Sequence, residues 1–167
     1  MAKAKSPIPP GFHSLTPQLT LDNAAKSIDW YKKALGAEEV SRFAGPDGKI
    51  MHAELRIGDS KFMVNDVMMG GKGPQGHNGS PASFWIYTQD CDALFNRAVG
   101  AGAQIMPGGM GNMQDQFWGD RSGTIVDPEG YRWTIATRKE DLTQEEMKKR
   151  GEEFMKNFAA QHAGAPR

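Results

Sequence analysis

The chain has 167 residues, 38% of them hydrophobic and 24% charged, which suits one ordinary soluble domain or two small modules sharing a core. Twenty basic residues balance twenty acidic ones, so no long-range field draws the chain to nucleic acid or to an anionic membrane, and the expected partner is a small molecule or another protein. The single cysteine, Cys91, excludes an intrachain disulfide framework and fits a reducing compartment; no apolar run reaches bilayer length and the start Met1-Ala-Lys-Ala-Lys-Ser-Pro lacks the apolar core of a signal peptide, so a cytoplasmic location is expected.

Residues 1–13 carry Pro7, Pro9, Pro10 and Gly11 among lysines and read as an extended, loosely held arm. From Leu15 to Leu21 the alternation predicts a strand, with Leu15, Leu19 and Leu21 on one face and Thr16, Gln18 and Thr20 on the other. Asp22 or Asn23 caps a helix whose apolar positions Ala24, Ile28, Tyr31 and Leu35 recur at helical spacing, and Gly36 stops it. Strands are predicted at 39–43, 50–57 and 61–65, with turns at Gly45-Pro46-Asp47-Gly48 and Gly58-Asp59-Ser60. Residues 67–81 hold so many glycines and prolines that regular structure is not expected there.

The pattern then begins again. Residues 82–88 predict a strand and Asp90 a helix cap, with Cys91, Leu94, Ala98 and Ala101 inward and Gly102 as the stop. Leu35-Gly36-Ala37 and Ala101-Gly102-Ala103 hold the same place in each half. A strand at 104–106 and a loop at 107–116 lead to a hairpin, whose turn Asp127-Pro128-Glu129-Gly130 lies between β-branched and aromatic segments at 124–126 and 131–135. Alternation there sends Trp133 and Ile135 to one face, Arg132 and Thr134 to the other. Two copies of β-α-β-β-β are therefore expected in one chain. Thr143-Gln-Glu-Glu146 opens a terminal helix with an apolar stripe through Met147, Phe154 and Phe158, free to lie on its own domain or on a second subunit.

Paired modules with Ile28-Asp29-Trp30-Tyr31 and Leu35-Gly36-Ala37 in the first and Asp127-Pro128-Glu129-Gly130-Tyr131 in the second resemble the vicinal oxygen chelate superfamily, which holds glyoxalase I, extradiol dioxygenases and the fosfomycin and bleomycin resistance proteins. Gly48-Lys49-Ile50-Met51-His52-Ala53-Glu54-Leu55, Ile57-Gly58-Asp59 and Gln116-Phe117-Trp118-Gly119-Asp120-Arg121 are similar to its PhnB-like branch. The resemblance implies an α+β domain at 14–140, with module one at 14–66, a linker at 67–81 and module two at 82–140, followed by a helical extension at 141–167. It further implies a curved mixed sheet around one cleft and a homodimer.

Family members that do metal chemistry hold a divalent ion with His, Gln or Glu from four strands. The matching positions here are Thr16, Met63, Ser83 and Thr134, none a good ligand, and of their same-face neighbours only Gln18 matches a family ligand type. This departure argues against glyoxalase I and dioxygenase chemistry. No cofactor is expected, while a divalent metal at some other position stays open.

Three groups carry the remaining candidate chemistry. His52 and Glu54, two apart on a strand, can act as a general base and its orienter or donate to a relocated metal; the alternative is a pair that fixes strand register. Asp120 can orient Arg121 to grip a carboxylate or phosphonate beside Trp118, or the two can form an ion pair that braces the loop. Gln18, Thr20, Ser83, Trp85, Tyr87 and Thr134 give the expected concave face an aromatic surface with a few polar groups, which is how a small-molecule site is built. Methionines 68, 69, 106, 110 and 113 fall in the two glycine-rich loops, to mould to apolar ligands or simply to pack. Gly108-Gly109-Met110-Gly111 lacks the strand-to-helix setting of a nucleotide-binding loop, His13 and His77 read as solvent-facing, and Cys91 as a small buried residue. These readings lead first to a protein that binds and sequesters a small drug or metabolite. The alternatives are a glyoxalase-like lyase, isomerase or dioxygenase working through His52 and Glu54 or a rearranged metal site, and an assembly role for the terminal helix.

Overall fold

The computed structural model describes residues 6–109 and 111–162; residues 1–5 of the expected arm, Met110 in its loop and residues 163–167 of the tail lie outside the described residues. The first strand, β1 (Gln18–Leu21), buries Leu19 and Leu21 and turns Gln18 and Thr20 to the other face. It starts later than the alternation predicts. Pro17 has no N–H to give a sheet and Thr16 Oγ1 donates back to the His13 carbonyl, so Leu15 falls outside the strand and is 88% exposed. Within the described part of the arm, Lys61 Nζ donates to the Pro10 carbonyl at 3.2 Å and sits over the Phe12 ring.

Helix α1 (Ala24–Leu35) buries Ala24, Ile28, Tyr31 and Leu35 as the spacing predicts. Asn23 caps it by accepting from the Lys26 amide, and Gly36 ends it at a φ of 68°. The positive φ is what calls for glycine there; the Arg97 guanidinium, 2.7 Å from where a Cβ would stand, is the far end of a flexible side chain. Strands β2 (Glu38–Ala44), β3 (Ile50–Ile57) and β4 (Ser60–Asp66) complete the first sheet in the order β1-β4-β3-β2, with β1 parallel to β4. The 67–81 segment contains one short 3-10 turn, Pro74–His77, pinned where Gln75 Nε2 donates to the Pro128 carbonyl.

The second module repeats this order. It runs β5 (Ser83–Tyr87), α2 (Cys91–Gly100), β6 (Gln104–Ile105), β7 (Gln114–Asp115), β8 (Asp120–Val126) and β9 (Arg132–Arg138). Its sheet reads β5-β9-β8-β6, with the short β7 pairing to β8 and β5 parallel to β9. The α+β fold of two paired modules is thus realised as two mixed sheets. Three details differ from expectation: β7 forms within the segment 107–116 that reads as loop, and two boundaries move. The hairpin extends well past its turn, back to Asp120 and on to Arg138, and α2 ends one residue early, leaving Ala101 half-buried as its cap.

Both sheets turn their helix-covered sides to one core. Tyr31 of α1 packs edge-on to Phe62 and Trp133, and Phe84 lies 4.8 Å from Trp133, so aromatic rings from the two modules interlock. Each such side chain contributes about 1.5–3 kcal/mol by burial. The helices are cross-linked too, Trp30 Nε1 donating to the Ala101 carbonyl and Arg97 Nε to that of Ala34. The Asp127–Gly130 turn serves as a clamp. Asp127 accepts from the Tyr31 hydroxyl, from Trp133 Nε1 and from two backbone amides, and burial pushes its carboxyl above the usual aspartate range despite those donors. Glu129 crosses to the start of α1 and accepts from the amides of Asp22 and Asn23 and from the Ser27 hydroxyl.

Helix α3 (Gln144–His162) starts with the capping box read from Thr143 and Glu146: the Thr143 amide and hydroxyl both donate to the Glu146 carboxylate. Phe154 stacks 5.2 Å from Phe117, so the helix rests on its own chain, yet Met147, Phe154 and Phe158 stay nearly half exposed. Among the described residues no helix is long and apolar enough to cross a membrane.

Candidate functional site

Strands β1 and β5 are edge strands of their sheets, and residues of both line a cleft of about 960 Å³. Pro17, Lys61 and Phe62 line it from the first module, Phe84, Trp85, Tyr87 and Arg97 from the second. This is at the upper end of the size of small-molecule sites, and mixed apolar and polar walls are typical of them.

On the second sheet, the face turned away from the core carries a preset aromatic wall. Trp85 and Tyr87 alternate with the half-buried Phe84 and the buried Ile86 and are 48% and 64% exposed. Trp85 lies 6.2 Å from Tyr87 and 6.4 Å from Trp118. One buried carboxylate fixes two of the rings: Asp120 Oδ2 accepts from the Tyr87 hydroxyl at 2.9 Å and from Trp118 Nε1 at 3.1 Å. Partial burial, then this carboxylate, push the Tyr87 hydroxyl above the usual tyrosine range. Three aromatic residues singled out in the sequence are therefore brought together, and the residue that organises them is Asp120.

Asp120 does not orient Arg121. Neighbours on a strand point to opposite faces, so Arg121 turns away and makes a two-pronged pair with Asp92, 2.8 Å at each contact, plus a contact to Asp115 at 3.2 Å. The Asp92 and Asp115 hydrogen bonds hold the Arg121 guanidinium more firmly charged, and Arg121 in turn holds the Asp92 carboxyl below its usual range. This corrects the expected pairing of Asp120 with Arg121: the arginine instead braces β8 to α2 and to β7.

Gln18 and Thr134 are also placed differently from the aromatic wall. Gln18 belongs to the first sheet, where its amide donates to Asn65 Oδ1 at 2.8 Å. Thr134 faces the same side as Trp85, its partner in register, but is only 8% exposed and shares a 2.9 Å hydrogen bond with Thr124. His52 and Glu54 do share the open face of the first sheet, 3.8 Å apart, which is too long for a hydrogen bond. Glu54 is also 3.4 Å from Lys61 Nζ. Phe43, directly opposite His52 and 64% exposed, was missed by the sequence reading; the β2–β3 pairing was its only signal.

The divalent ion that the superfamily resemblance implies does not fit these positions. Thr16 lies outside any strand with its hydroxyl turned back to His13, Met63 offers a thioether beside Gln18, and Ser83 and Thr134 offer hydroxyls on neighbouring strands. Such donors hold zinc, manganese or iron weakly. Among the described residues, no three His, Cys, Asp or Glu side chains converge as metal donors.

With this geometry in hand, comparison with known proteins gives a consistent result. Residues 12–135 match the model of the Glyoxalase/Bleomycin resistance protein/Dioxygenase superfamily. An uncharacterized protein of Mycobacterium tuberculosis is 40% identical over 139 residues, covering 80% of this chain and 79% of its own. Among solved structures, TioX from Micromonospora sp. ML1 superposes with a TM-score of 0.60 at 24% identity, over 75% of this chain and 98% of that one. A bleomycin-binding protein complexed with bleomycin superposes with a TM-score of 0.53 at 21% identity, over 77% and 99%. At these identities the two superpositions establish the fold.

Proposed function

Since the chain belongs to the glyoxalase/bleomycin resistance protein/dioxygenase superfamily, we propose that it binds and sequesters a small, flat organic molecule, a drug or a metabolite, without the superfamily's usual metal. One observation carries the reading: Trp85, Tyr87 and Trp118 form a ring surface beside the inter-module cleft, in which Asp120 locks Tyr87 and the half-buried Trp118 while Trp85 and Tyr87 stay open to solvent. Exposed aromatic surface is unfavourable in water, and a planar ligand covering it gains both burial and ring contact. Preorganisation by Asp120 lowers the entropic cost of that binding. A ligand-bearing relative, the bleomycin-binding protein, lends the fold a precedent.

Within the superfamily we place the chain nearest the PhnB-like branch, on the 48–55 and 116–121 motifs. We also propose a homodimer. The edge strand β2 and the uncovered face of the first sheet, with Phe43 exposed, are surfaces that a second copy would cover.

A thermal-shift screen against metabolites, aldehyde adducts and antibiotics, run on the native chain and on Trp85→Ala, tests the proposal. A planar compound that stabilises the native chain and loses its effect in Trp85→Ala supports it; stabilisation that survives the substitution places the site elsewhere. The enzymatic alternative rests on Glu54 lying between His52 and Lys61. It predicts turnover of the hit compound that His52→Ala and Glu54→Ala abolish, whereas sequestration predicts unchanged compound and unchanged binding in both variants.

A further inference from the structure

A second hollow, an open depression of about 990 Å³, lies where the 67–81 segment crosses the start of β9, and Lys72, His77 and Arg132 line it. Arg132 Nη2 donates to the Pro81 carbonyl at 3.1 Å, while its Nε is buried with no hydrogen-bond partner among the described residues. A guanidinium N–H stripped of water and left without an acceptor is unfavourable, and natural structures seldom keep one. The nearby carboxylates of the hairpin turn do not answer it. Asp127 is committed to Tyr31 and Trp133, and Glu129 to the start of α1. Asp22 lies at the rim, against Gly73.

Register ties this depression to the aromatic wall. Arg132 pairs with Ser83 and Thr134 with Trp85, so Arg132 and Trp85 share one face of the sheet, two residues apart along the strands. That offset is about 7 Å. We propose that Arg132, with Lys72 and His77, forms an anion site that takes the carboxylate or phosphate of the same ligand whose ring lies on Trp85. The inference rests on the proposed small-molecule function and narrows it to a class: planar aromatic or polycyclic compounds whose acidic group stands about 7 Å from the ring. With Nη2 held by the Pro81 carbonyl and Nε buried, Arg132 meets an oxyanion through Nη1, and Lys72 supplies a mobile positive charge.

A matched pair of fluorescent probes separates the two claims. 1-Pyrenebutyrate and its neutral counterpart 1-pyrenebutanol differ only at the acidic end, and their binding is followed by fluorescence anisotropy in the native chain, Arg132→Gln and Lys72→Ala. The native chain is expected to prefer the butyrate by about tenfold. Arg132→Gln removes that preference and Lys72→Ala reduces it, while both leave pyrenebutanol binding unchanged; inorganic phosphate competes with the butyrate alone. Equal binding of the two probes by the native chain, or a preference that survives in both variants, overturns the anion site and leaves the aromatic site standing. Failure of both probes to bind overturns the aromatic reading and this inference with it.

Discussion

Glu129 offers the sharpest test of how the two modules are held together. Its carboxylate, 7% exposed, receives the amides of Asp22 at 2.8 Å and Asn23 at 3.4 Å and the Ser27 hydroxyl, all from the opposite module. In Glu129→Gln the size is kept, the charge is lost and one acceptor oxygen becomes a donor, so at least one of these groups faces an NH₂. A hydrogen bond to a charged partner contributes about 1.5–3 kcal/mol, and a negative charge at a helix start about 0.3–1 kcal/mol. The expected loss is therefore about 2–4 kcal/mol, or roughly 5–15 °C in Tm for a domain of this length. Asp59 is the control, because it occupies the matching turn of the first module and bonds only the neighbouring Ser60 hydroxyl. Asp59→Asn should stay within about 0.5 kcal/mol of the native chain. Guanidinium unfolding followed by tryptophan fluorescence reads both. If Glu129→Gln costs no more than Asp59→Asn, the turn is not a clamp between modules.

Asp127 gives a pH signature. Its native pKa is raised by burial, so the folded chain holds that proton more tightly than the unfolded chain; its contribution is favourable in acid and is lost as pH rises through the native titration. A carbon-13 carboxyl titration of the folded protein should place Asp127 above ordinary aspartate, and a midpoint at or below that range refutes the account of its burial. Trp85→Ala, on a half-exposed ring, should change stability by less than about 1 kcal/mol while weakening an aromatic ligand by about tenfold, compared by calorimetry and direct titration. Phe154→Ser removes the ring stacked on Phe117 and should lower the far-ultraviolet helix signal without shifting the main unfolding transition; a coincident loss of both would show that α3 belongs to the shared core.

Local chemistry made most of the fold readable. Asn23 and Gly36 bracket α1, and the alternation in β3 names the buried Ala53 and Leu55, because caps and periodicity act within a few residues, whereas in β9 both faces are covered and Thr134 and Ala136 are buried along with Trp133 and Ile135. The end of a strand is set by its partner instead: β8 begins at Asp120 because β9 continues to Arg138 opposite it. The same limit governs the site. Trp85 and Tyr87 could be assigned to one sheet face and Trp118 to a loop end from the sequence, but that Asp120 holds two of these rings depended on which face it takes in β8. Arg121 could be read as half of an ion pair, but its partner is Asp92, 29 residues away, rather than the adjacent Asp120. Arg132 was placed on its correct face, yet the cavity beside it is made by the 67–81 segment, whose glycines and prolines gave no hint of where it would lie.

The central claim, that a ring-shaped ligand binds here with no metal taking part, is met most directly by one titration. Quenching of tryptophan fluorescence by the strongest compound of the screen is measured before and after exhaustive chelation, with zinc and manganese added back. Metal-independent binding predicts one dissociation constant throughout. An affinity that collapses on chelation and returns with either ion would contradict it.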